Sequence, residues 1–193
     1  PAQLELPLAP AWTFQARHPP SPAWPAPAKQ DFYHHHYDLR ALETYDHAFH
    51  VTSATGVVYF GSSSQDKVYA LDAASGNVRW TFLTGGPVRF APTLADGRVY
   101  VGADDGCVYC LSADGGTLVW KRRIAPDERM VPGNGRMISL WPVRTGLVVD
   151  DGTVYGTAGL FPEEGTYLAA LDAGTGEVKY RHPGRPGRSP LPE

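Results

Sequence analysis

The sequence has few sulfur-containing residues and no long apolar run. Its 193 residues include two cysteines and two methionines. No stretch approaches the roughly 18 consecutive apolar residues of a transmembrane helix, so we predict no membrane span. The first residues, PAQLELPLAP, lack the basic start and apolar centre of a signal peptide. The chain begins at Pro1, and we interpret it as a fragment or a processed product.

The charge pattern excludes some partners. The formal net charge is −3, and no basic cluster is interleaved with aromatic residues. Without a positive field or a stacking platform, nucleic acid is not a predicted partner. The sequence also lacks a Gly-x-Ser-x-Gly, Walker or Rossmann pattern in a fitting context. No residues form a recognisable catalytic set.

The two cysteines, Cys107 and Cys110, lie in the segment GCVYC. Residues three apart on a strand point to opposite faces, so the two thiols are poorly placed to form a disulfide or to share a metal ion. A zinc site would need further cysteines or histidines at suitable spacing. We therefore expect buried structural thiols.

A run of three histidines is the most obvious metal candidate. His34, His35 and His36 lie between Asp31 and Asp38 in DFYHHHYDLR. Consecutive side chains of an extended segment cannot all point to one ion, and in a short helix only some share a face. We therefore expect solvated or locally packed histidines. Two acidic pairs are interpreted as ordinary turn or loop residues: Asp104 with Asp105, and Glu163 with Glu164.

Glycine and aromatic residues are abundant, with 21 glycines, ten tyrosines and five tryptophans. Aromatic side chains fit a pleated surface and glycines serve tight turns, so this composition favours strands. Three segments align without a gap, each as a strand, a turn and a second strand. They are VYALDAASGNVRW (68–80), VYCLSADGGTLVW (108–120) and LAALDAGTGEVKY (168–180). A further short strand precedes each of them, in GVVYFG, GRVYVG and GTVYGT.

Each repeat is predicted to form four antiparallel strands, named A to D from the innermost outward. The repeats occupy 46–83, 87–123 and 142–182, with a loop insertion at 124–141. One such sheet cannot bury both of its faces, so neighbouring sheets stack radially as the blades of a β-propeller. The predicted fold class is therefore all-β, a partial β-propeller of about three four-stranded blades.

The turn between strands C and D has its own chemistry. Asp72 is placed to accept hydrogen bonds from backbone amides of its turn, and Gly76 to adopt a positive φ. Asp172 and Gly176 repeat this pair in the third copy. The pattern Ala-x-Asp-x-x-Thr/Ser-Gly-x-x-x-Trp that contains them occurs in the first copy at Ala70, Asp72, Ser75, Gly76 and Trp80.

This pattern resembles the tryptophan-docking motif of the pyrroloquinoline quinone (PQQ) repeat. The family includes the quinoprotein alcohol dehydrogenases and the BamB-type assembly lipoproteins. The resemblance covers residues 46–182 and implies propeller blades that the motif packs together. The third copy has Tyr180 in place of the tryptophan, and the middle copy has Cys110 and Ser112 in place of alanine and aspartate.

The proline-rich leader, residues 1–45, repeats the end of a D strand. It carries AWTF at 11–14, where the first repeat has RWTF at 79–82. We interpret this segment as a remnant outer strand near 11–15 of a preceding blade; the alternative is an accidental match in a disordered leader. Three blades and one strand fall short of the four to eight blades of a closed propeller. We therefore expect the remaining blades of a longer parent chain as partners.

Two further predictions concern the open edges of the fan and the C-terminal tail. A three-blade fan leaves unpaired edges and exposed apolar flanks, which favour assembly or aggregation of the isolated chain. The tail, 183–193, has proline and glycine in quick succession and is predicted to be a flexible linker.

Three elaborations distinguish the repeats from one another. They are the D-to-A connection 124–141, the leader segment 15–45 and the long B-to-C connection TAGLFPEEGT of the third repeat. Because antiparallel strands alternate in direction, all three emerge on the same face of the fan. Loops carry function more often than strands do, so this face is the predicted binding surface.

Arg89, Arg144 and Trp141 are the candidate ligand or partner residues on that face. The two arginines precede innermost strands at matching positions, and Trp141 ends the insertion. A pair of guanidinium groups could clamp a carboxylate or a phosphate. Alternatively, each arginine ties down a neighbouring blade through a carboxylate or a loop carbonyl.

Two functions follow. The favoured one is a non-enzymatic segment that binds a protein partner or a small ligand through this face. The alternative, implied by the resemblance, is a fragment of a PQQ-dependent quinoprotein dehydrogenase, and PQQ and calcium are expected cofactors only in that case. No residue is assigned to a base or calcium role by motif, and a sensor-type propeller fused to another domain is a third possibility. The resemblance also favours an extracytoplasmic, periplasmic location.

Overall fold

The computed structural model describes residues 7, 9–23, 36–37, 48–133 and 135–183. In these residues the chain forms fourteen strands and one short 3-10 turn, η1 (Pro162–Glu164). The all-β prediction is confirmed. Most of the histidine run, its flanking aspartates and the tail after residue 183 lie outside the described residues.

Three four-stranded antiparallel sheets account for most of the strands, and within each sheet the strands follow one another in chain order. Blade 1 contains β1 (Val51–Ala54), β2 (Val57–Ser62), β3 (Lys67–Asp72) and β4 (Val78–Leu83). Blade 2 contains β5 (Thr93–Ala95), β6 (Arg98–Gly102), β7 (Cys107–Ser112) and β8 (Leu118–Arg123). Blade 3 contains β11 (Val148–Asp150), β12 (Thr153–Ala158), β13 (Tyr167–Asp172) and β14 (Val178–Pro183).

The remaining two strands, β9 (Met130–Gly133) and β10 (Arg136–Ser139), pair as an antiparallel hairpin. This hairpin lies inside the segment 124–141, for which the sequence predicted a loop insertion. The Gly-Asn-Gly triplet at 133–135 is the turn signal in the sequence that points to it.

The three blades share one register. In each, a tyrosine of the second strand pairs with a residue of the third, which in turn pairs with the aromatic residue of the fourth. The three sets are Tyr59, Ala70 and Trp80; Tyr100, Cys110 and Trp120; Tyr155, Ala170 and Tyr180. A register shift follows the middle member in every blade. The alignment inferred from the sequence is therefore the structural alignment.

The predicted turn chemistry is confirmed. Asp72 Oδ1 accepts hydrogen bonds from the amides of Ala74 at 3.0 Å and Ser75 at 2.9 Å, and Gly76 has a φ of 72°. Asp172 makes the same bonds in blade 3, and the donated hydrogen bonds from Thr175 and Lys179 lower the pKa of this carboxyl from 3.8 to about 2. The carboxylate supplies a hydrogen-bond acceptor for turn amides that have no backbone acceptor.

Tryptophans join consecutive blades. The Trp80 indole N–H donates to the Ala113 carbonyl at 2.9 Å, and its ring lies over Gly116. Trp120 does the same with the Ala173 carbonyl, at 3.0 Å, and with Gly176. A β-carbon on Gly116 would lie 2.5 Å from the Trp80 ring. Glycine is therefore required by both the close approach and the positive φ.

Hydrogen bonds from threonine side chains also link the innermost strands to the neighbouring blades. Thr52 Oγ1 donates to the Pro92 carbonyl and Thr93 Oγ1 donates to the Leu147 carbonyl, both at 2.7 Å. The two threonines occupy equivalent positions, since they pair with Tyr59 and Tyr100 respectively. The same contacts at both junctions give the radial arrangement of a propeller.

The core is divided between the blade interfaces. One cluster of buried side chains contains Cys107 and the other contains Cys110, so the two thiols lie on opposite faces of blade 2. Both are free and buried, as predicted. Burial, with the nearby charge of Asp105, raises the pKa of Cys107 to about 11, which keeps this thiol protonated and unreactive.

The leader packs on the face of blade 1 that is opposite to blade 2. The Trp12 indole donates to the Ala73 carbonyl at 2.9 Å, and its ring lies over Gly76. Phe14 contacts the rings of Phe60 and Tyr69, with centroids 5.3 and 5.6 Å apart. Trp12 thus makes on blade 1 the contacts that Trp80 makes on blade 2. Residues 9–16 form no ladder with a described strand, so side chains hold this segment in place.

Candidate functional site

Two of the three predicted elaborations meet on one face of the fan. The Trp141 indole, at the end of the insertion, donates to the Glu164 carbonyl in the B-to-C connection of blade 3 at 2.8 Å. The Arg129 guanidinium lies 4.6 Å from the centroid of the Trp141 ring. We call the surface formed by residues 15–23, 124–141 and 159–166 the decorated face.

The leader reaches this face as well. Within the described part of the leader, the Ser21 amide donates to Ser63 Oγ at 2.9 Å, and Ser64 Oγ donates to the His18 carbonyl at 3.5 Å. Ser63 and Ser64 lie in the B-to-C connection of blade 1. The described leader residues therefore run from the turn between β3 and β4, where Trp12 contacts Ala73, onto the decorated face.

Trp141 lies beneath the decorated face. Its side chain is 1% exposed, and its ring packs edge-on against Tyr167 with centroids 6.0 Å apart. Its amide donates to Ser139 Oγ at 3.1 Å. Trp141 anchors the hairpin to blade 3, and any direct contact between Trp141 and a ligand or partner stays a prediction.

The hairpin extends back across blade 2 to blade 1. The Ser139 amide donates to the Asp104 carbonyl at 2.7 Å. The Arg136 guanidinium pairs with the Asp66 carboxylate and donates to the Ser64 carbonyl at 3.2 Å. Burial raises the pKa of Asp66 and Arg136 opposes that rise. The hairpin is thus fixed at three points, one on each blade.

Both methionines of the chain are exposed on this hairpin. Met137 pairs with Pro132 across the two strands, and Met130 is two residues before Pro132 on the same strand, so the three side chains share one face. Met130 and Met137 are 40% and 54% exposed, whereas Ile138 on the opposite face is 4% exposed. The outward face of the hairpin is therefore apolar and made of adaptable side chains.

Arg89 and Arg144 converge on one carboxylate. Arg89 Nε donates to Asp104 Oδ2 at 2.8 Å, and Arg144 donates through Nε to Oδ1 at 2.9 Å and through Nη2 to Oδ2 at 2.8 Å. The Asp104 side chain is fully buried. Arg89 Nη1 also donates to the Ser21 carbonyl of the leader at 2.9 Å. This is the geometry of the second interpretation, in which the arginines tie blades together; a role in ligand binding stays a prediction.

Asp104 was missed as a site residue because it was interpreted as an ordinary turn acid. The residues at the corresponding place, four after the paired tyrosine of the second strand (Tyr59 in blade 1 and Tyr155 in blade 3), are Ser63 and Gly159. The sequence carried one indication of this role. Asp104 lies in blade 2, and Arg89 and Arg144 lie in the segments that precede blades 2 and 3.

A second buried network lies beside the first. Asp105 Oδ2 accepts hydrogen bonds from the Tyr109 hydroxyl at 2.6 Å and pairs with Lys121 Nζ at 2.9 Å. The Tyr109 oxygen in turn accepts the Gly85 amide at 2.7 Å. Burial and the bond to Asp105 raise the pKa of Tyr109 to about 12. At neutral pH this phenol keeps its proton. Its hydrogen bonds link Gly85, in the connection between blades 1 and 2, to Asp105 of blade 2.

Calcium binds several oxygen ligands, usually including carboxylates. In the described ranges no three His, Cys, Asp or Glu side chains converge as metal ligands. A groove of about 610 Å³ runs between β1 and β5 near the axis, lined by His50, Thr52, Phe90 and Thr93 among others. Its lining contains no carboxylate, so it does not match the oxygen-rich ligand set of calcium.

The part of the chain that the structure describes contains no helix long and apolar enough to cross a membrane.

Comparison with known proteins gives one family. The family model described as outer membrane protein assembly factor BamB matches residues 11–183. BamB of Yersinia pestis is 30% identical over 131 residues, which cover 65% of this chain and 31% of that protein. The quinohemoprotein alcohol dehydrogenase of Comamonas testosteroni is 32% identical over 145 residues, which cover 68% of this chain and 19% of that protein.

Solved structures agree with the sequence relatives. The Comamonas testosteroni quinohemoprotein alcohol dehydrogenase has a TM-score of 0.56 at 28% identity, covering 69% of this chain and 20% of that chain. The quinohemoprotein alcohol dehydrogenase ADHIIG of Pseudomonas putida HK5 has a TM-score of 0.59 at 27% identity, covering 74% of this chain and 21% of that chain. This chain thus spans less than a third of the length of each of these four matched chains. Since the family match extends over most of the chain, this chain belongs to the PQQ-like β-propeller family whose model is described as outer membrane protein assembly factor BamB.

Proposed function

We propose that this chain is a non-catalytic segment of a PQQ-like β-propeller that binds a partner protein through its decorated face. The observation that carries the proposal is the hairpin β9–β10, which presents Met130 and Met137 outward from a fixed base. Side chains that are apolar and flexible suit contact with another protein surface.

The contacts that fix the hairpin to all three blades support a binding role. Trp141 fixes it to blade 3, Ser139 to blade 2 and Arg136 to blade 1. A surface held in this way loses little conformational entropy when a partner docks, which favours affinity.

The arginine cluster supports a scaffolding role for the residues near the axis. Arg89 and Arg144 both direct guanidinium nitrogens at the buried Asp104 carboxylate. A fully buried carboxylate with two guanidinium partners holds the connections into blades 2 and 3 at a fixed distance. The cluster is thereby suited to positioning the face above it.

The relatives support the class of partner and the location. The matched family and one relative carry the name outer membrane protein assembly factor BamB. We therefore propose an extracytoplasmic, periplasmic location and a protein partner in outer membrane protein assembly. Further blades from the same polypeptide are proposed to complete the propeller.

A fragment of a PQQ-dependent dehydrogenase is the second candidate. It is favoured by the identity of 32% to a quinohemoprotein alcohol dehydrogenase. In that case the complete protein would use PQQ and calcium; in the described ranges no three His, Cys, Asp or Glu side chains converge as metal ligands.

The test uses the protein that carries this segment, with Met130→Glu and Met137→Glu as separate variants. Leu83→Glu is the matched control, since Leu83 is 65% exposed and lies on the outer strand of blade 1. We expect both hairpin variants to fail, and the control to succeed, in restoring outer membrane protein assembly to cells that lack BamB. Dye-linked alcohol oxidation by the purified protein with added PQQ and calcium would replace the binding proposal with the dehydrogenase.

A further inference from the structure

The sulfur-containing side chains of the chain fall into two classes by exposure. Cys107 and Cys110 are 1% and 0% exposed, whereas Met130 and Met137 are 40% and 54% exposed. Burial also raises the pKa of both thiols, so neither is a reactive thiolate at neutral pH. An oxidant in solution therefore reacts with the two methionines before it reacts with the cysteines.

The two methionines are neighbours on the hairpin. Met137 pairs with Pro132 across the two strands, and Met130 pairs with Ser139. Met130 and Met137 are therefore diagonal cross-strand neighbours, about 7–8 Å apart and within reach of each other's long side chains. With Pro132 between them, the two thioethers form most of the outward surface of the hairpin.

The opposite face of the hairpin is packed against the blades. Val131 contacts the buried cluster that blades 2 and 3 share. Ile138 is 4% exposed and Ser139 is fully buried. An atom added to the outward sulfurs enters none of these contacts, so the hairpin keeps its place while the character of its surface changes.

We propose that Met130 and Met137 form a paired modification site, at which a peroxide oxidises both thioethers to sulfoxides and thereby switches off partner binding through the decorated face. This inference rests on the proposed function, because it concerns the regulation of that same surface. It adds the modification, the class of oxidant and the residues that react.

The oxidation step needs only the thioether and the peroxide. The sulfur lone pair attacks one peroxide oxygen, the O–O bond breaks and an S–O bond forms. Sulfur loses two electrons and the peroxide gains them. The second peroxide oxygen takes the proton of the transferred hydroxyl and leaves as water or, from an alkyl hydroperoxide, as an alcohol. Methionine sulfoxide reductases reverse the change, which makes it a switch.

The sulfoxide oxygens oppose docking. An apolar partner surface that covers Met130 and Met137 would have to strip water from two strong hydrogen-bond acceptors without replacing it. Two of the three outward side chains change in this way. The rigid base of the hairpin prevents the oxidised side chains from being turned away from the partner.

Peroxide treatment of the folded protein, followed by peptide mapping with mass spectrometry, tests the site. Leu83→Met and Leu111→Met are matched references, because Leu83 is 65% exposed and Leu111 is fully buried, and this exchange conserves volume. We expect Met130 and Met137 to react within about threefold of the exposed reference and at least about tenfold faster than the buried one. In urea all four methionines should react at similar rates. Native rates as slow as that of the buried reference would overturn the proposal.

A second experiment tests the effect on binding in cells that lack BamB and carry the protein containing this segment. Met130→Gln with Met137→Gln imitates the oxidised state, and Met130→Leu with Met137→Leu is the matched apolar pair. At equal protein levels on immunoblots, we expect the glutamine pair to support at least about tenfold less outer membrane protein assembly than the leucine pair. Hydrogen peroxide, given to cells without methionine sulfoxide reductases, should reduce assembly by the unmodified protein by a larger factor than assembly by the leucine pair.

The outcomes separate this proposal from the proposed function. Equal assembly by the glutamine and leucine pairs, in cells where Met130→Glu and Met137→Glu fail, would overturn the oxidation switch and leave partner binding in place. Assembly that survives Met130→Glu and Met137→Glu would overturn partner binding and the switch together.

Discussion

Replacing Gly116 by alanine should measure how much the docking of Trp80 contributes to the fold. Two costs arise at this position. Gly116 has a φ of 67°, a conformation that costs an alanine about 1–2 kcal/mol. The added β-carbon would also lie 2.5 Å from the Trp80 ring, and overpacking of a tight contact costs about 1–3 kcal/mol. We expect Gly116→Ala to lower the free energy of unfolding by about 2–5 kcal/mol in total.

Gly97→Ala is the matched control. Gly97 lies in the same blade with a φ of 70°, and a β-carbon there would meet no atom within 4 Å. It therefore carries the backbone cost alone, about 1–2 kcal/mol. The difference between the two variants isolates the collision with the indole.

The assay is urea denaturation of both variants and the unmodified chain, followed by circular dichroism and by tryptophan fluorescence. Both variants should keep the slope of the transition, since that slope follows the surface exposed on unfolding. Equal losses of stability in the two variants would refute the docking argument, because the Trp80 ring would then not lie against Gly116.

Three further predictions concern charge and thiol chemistry. Asp104→Ala leaves the guanidiniums of Arg89 and Arg144 without their shared buried partner and should cost about 3–5 kcal/mol of unfolding free energy. Asp127→Ala, at an exposed site, should cost far less in the same titration; similar losses would contradict the buried cluster. The folded-state pKa of Asp172 is lowered to about 2 from 3.8, so its stabilising contribution is complete above pH 4 or so and is lost as the pH falls towards about 2. Thermal unfolding of Asp172→Asn should therefore show a shallower loss of stability across this window, and an unchanged profile would count against the turn carboxylate. Cys107, with a pKa of about 11 and a buried thiol, should react with a disulfide reagent at pH 8 only as fast as the chain unfolds, and rapid labelling of the native chain would disprove its burial.

Features that depend on neighbouring residues could be predicted from the sequence. The bonds of Asp72 reach amides two and three residues away, and the positive φ of Gly76 belongs to the same turn. Such contacts form wherever the local pattern recurs. The repeated pattern therefore predicted the strands, their register and the alternating faces of Cys107 and Cys110.

Features that depend on distant residues could only be predicted as alternatives. Arg89 and Arg144 lie 15 and 40 residues from Asp104, and the sequence allowed either a ligand clamp or a tie between blades. The insertion was expected as a loop, whereas its hairpin is fixed to blade 1 by a bond that spans 70 residues. No local pattern specifies which charges a radial stack of sheets brings together.

The sequence by itself determined the blades: their strands, turns and docking residues follow from hydrogen bonds and periodicity within each repeat. The tertiary structure decided the burial of Asp104 and Trp141, the place of Trp12 on blade 1 and the exposure of Tyr180. The physical reason is that each of these depends on which surface lies opposite, and the angle between neighbouring blades sets that surface. Trp80 is buried because the Ala113 carbonyl and Gly116 of the following blade lie against its indole.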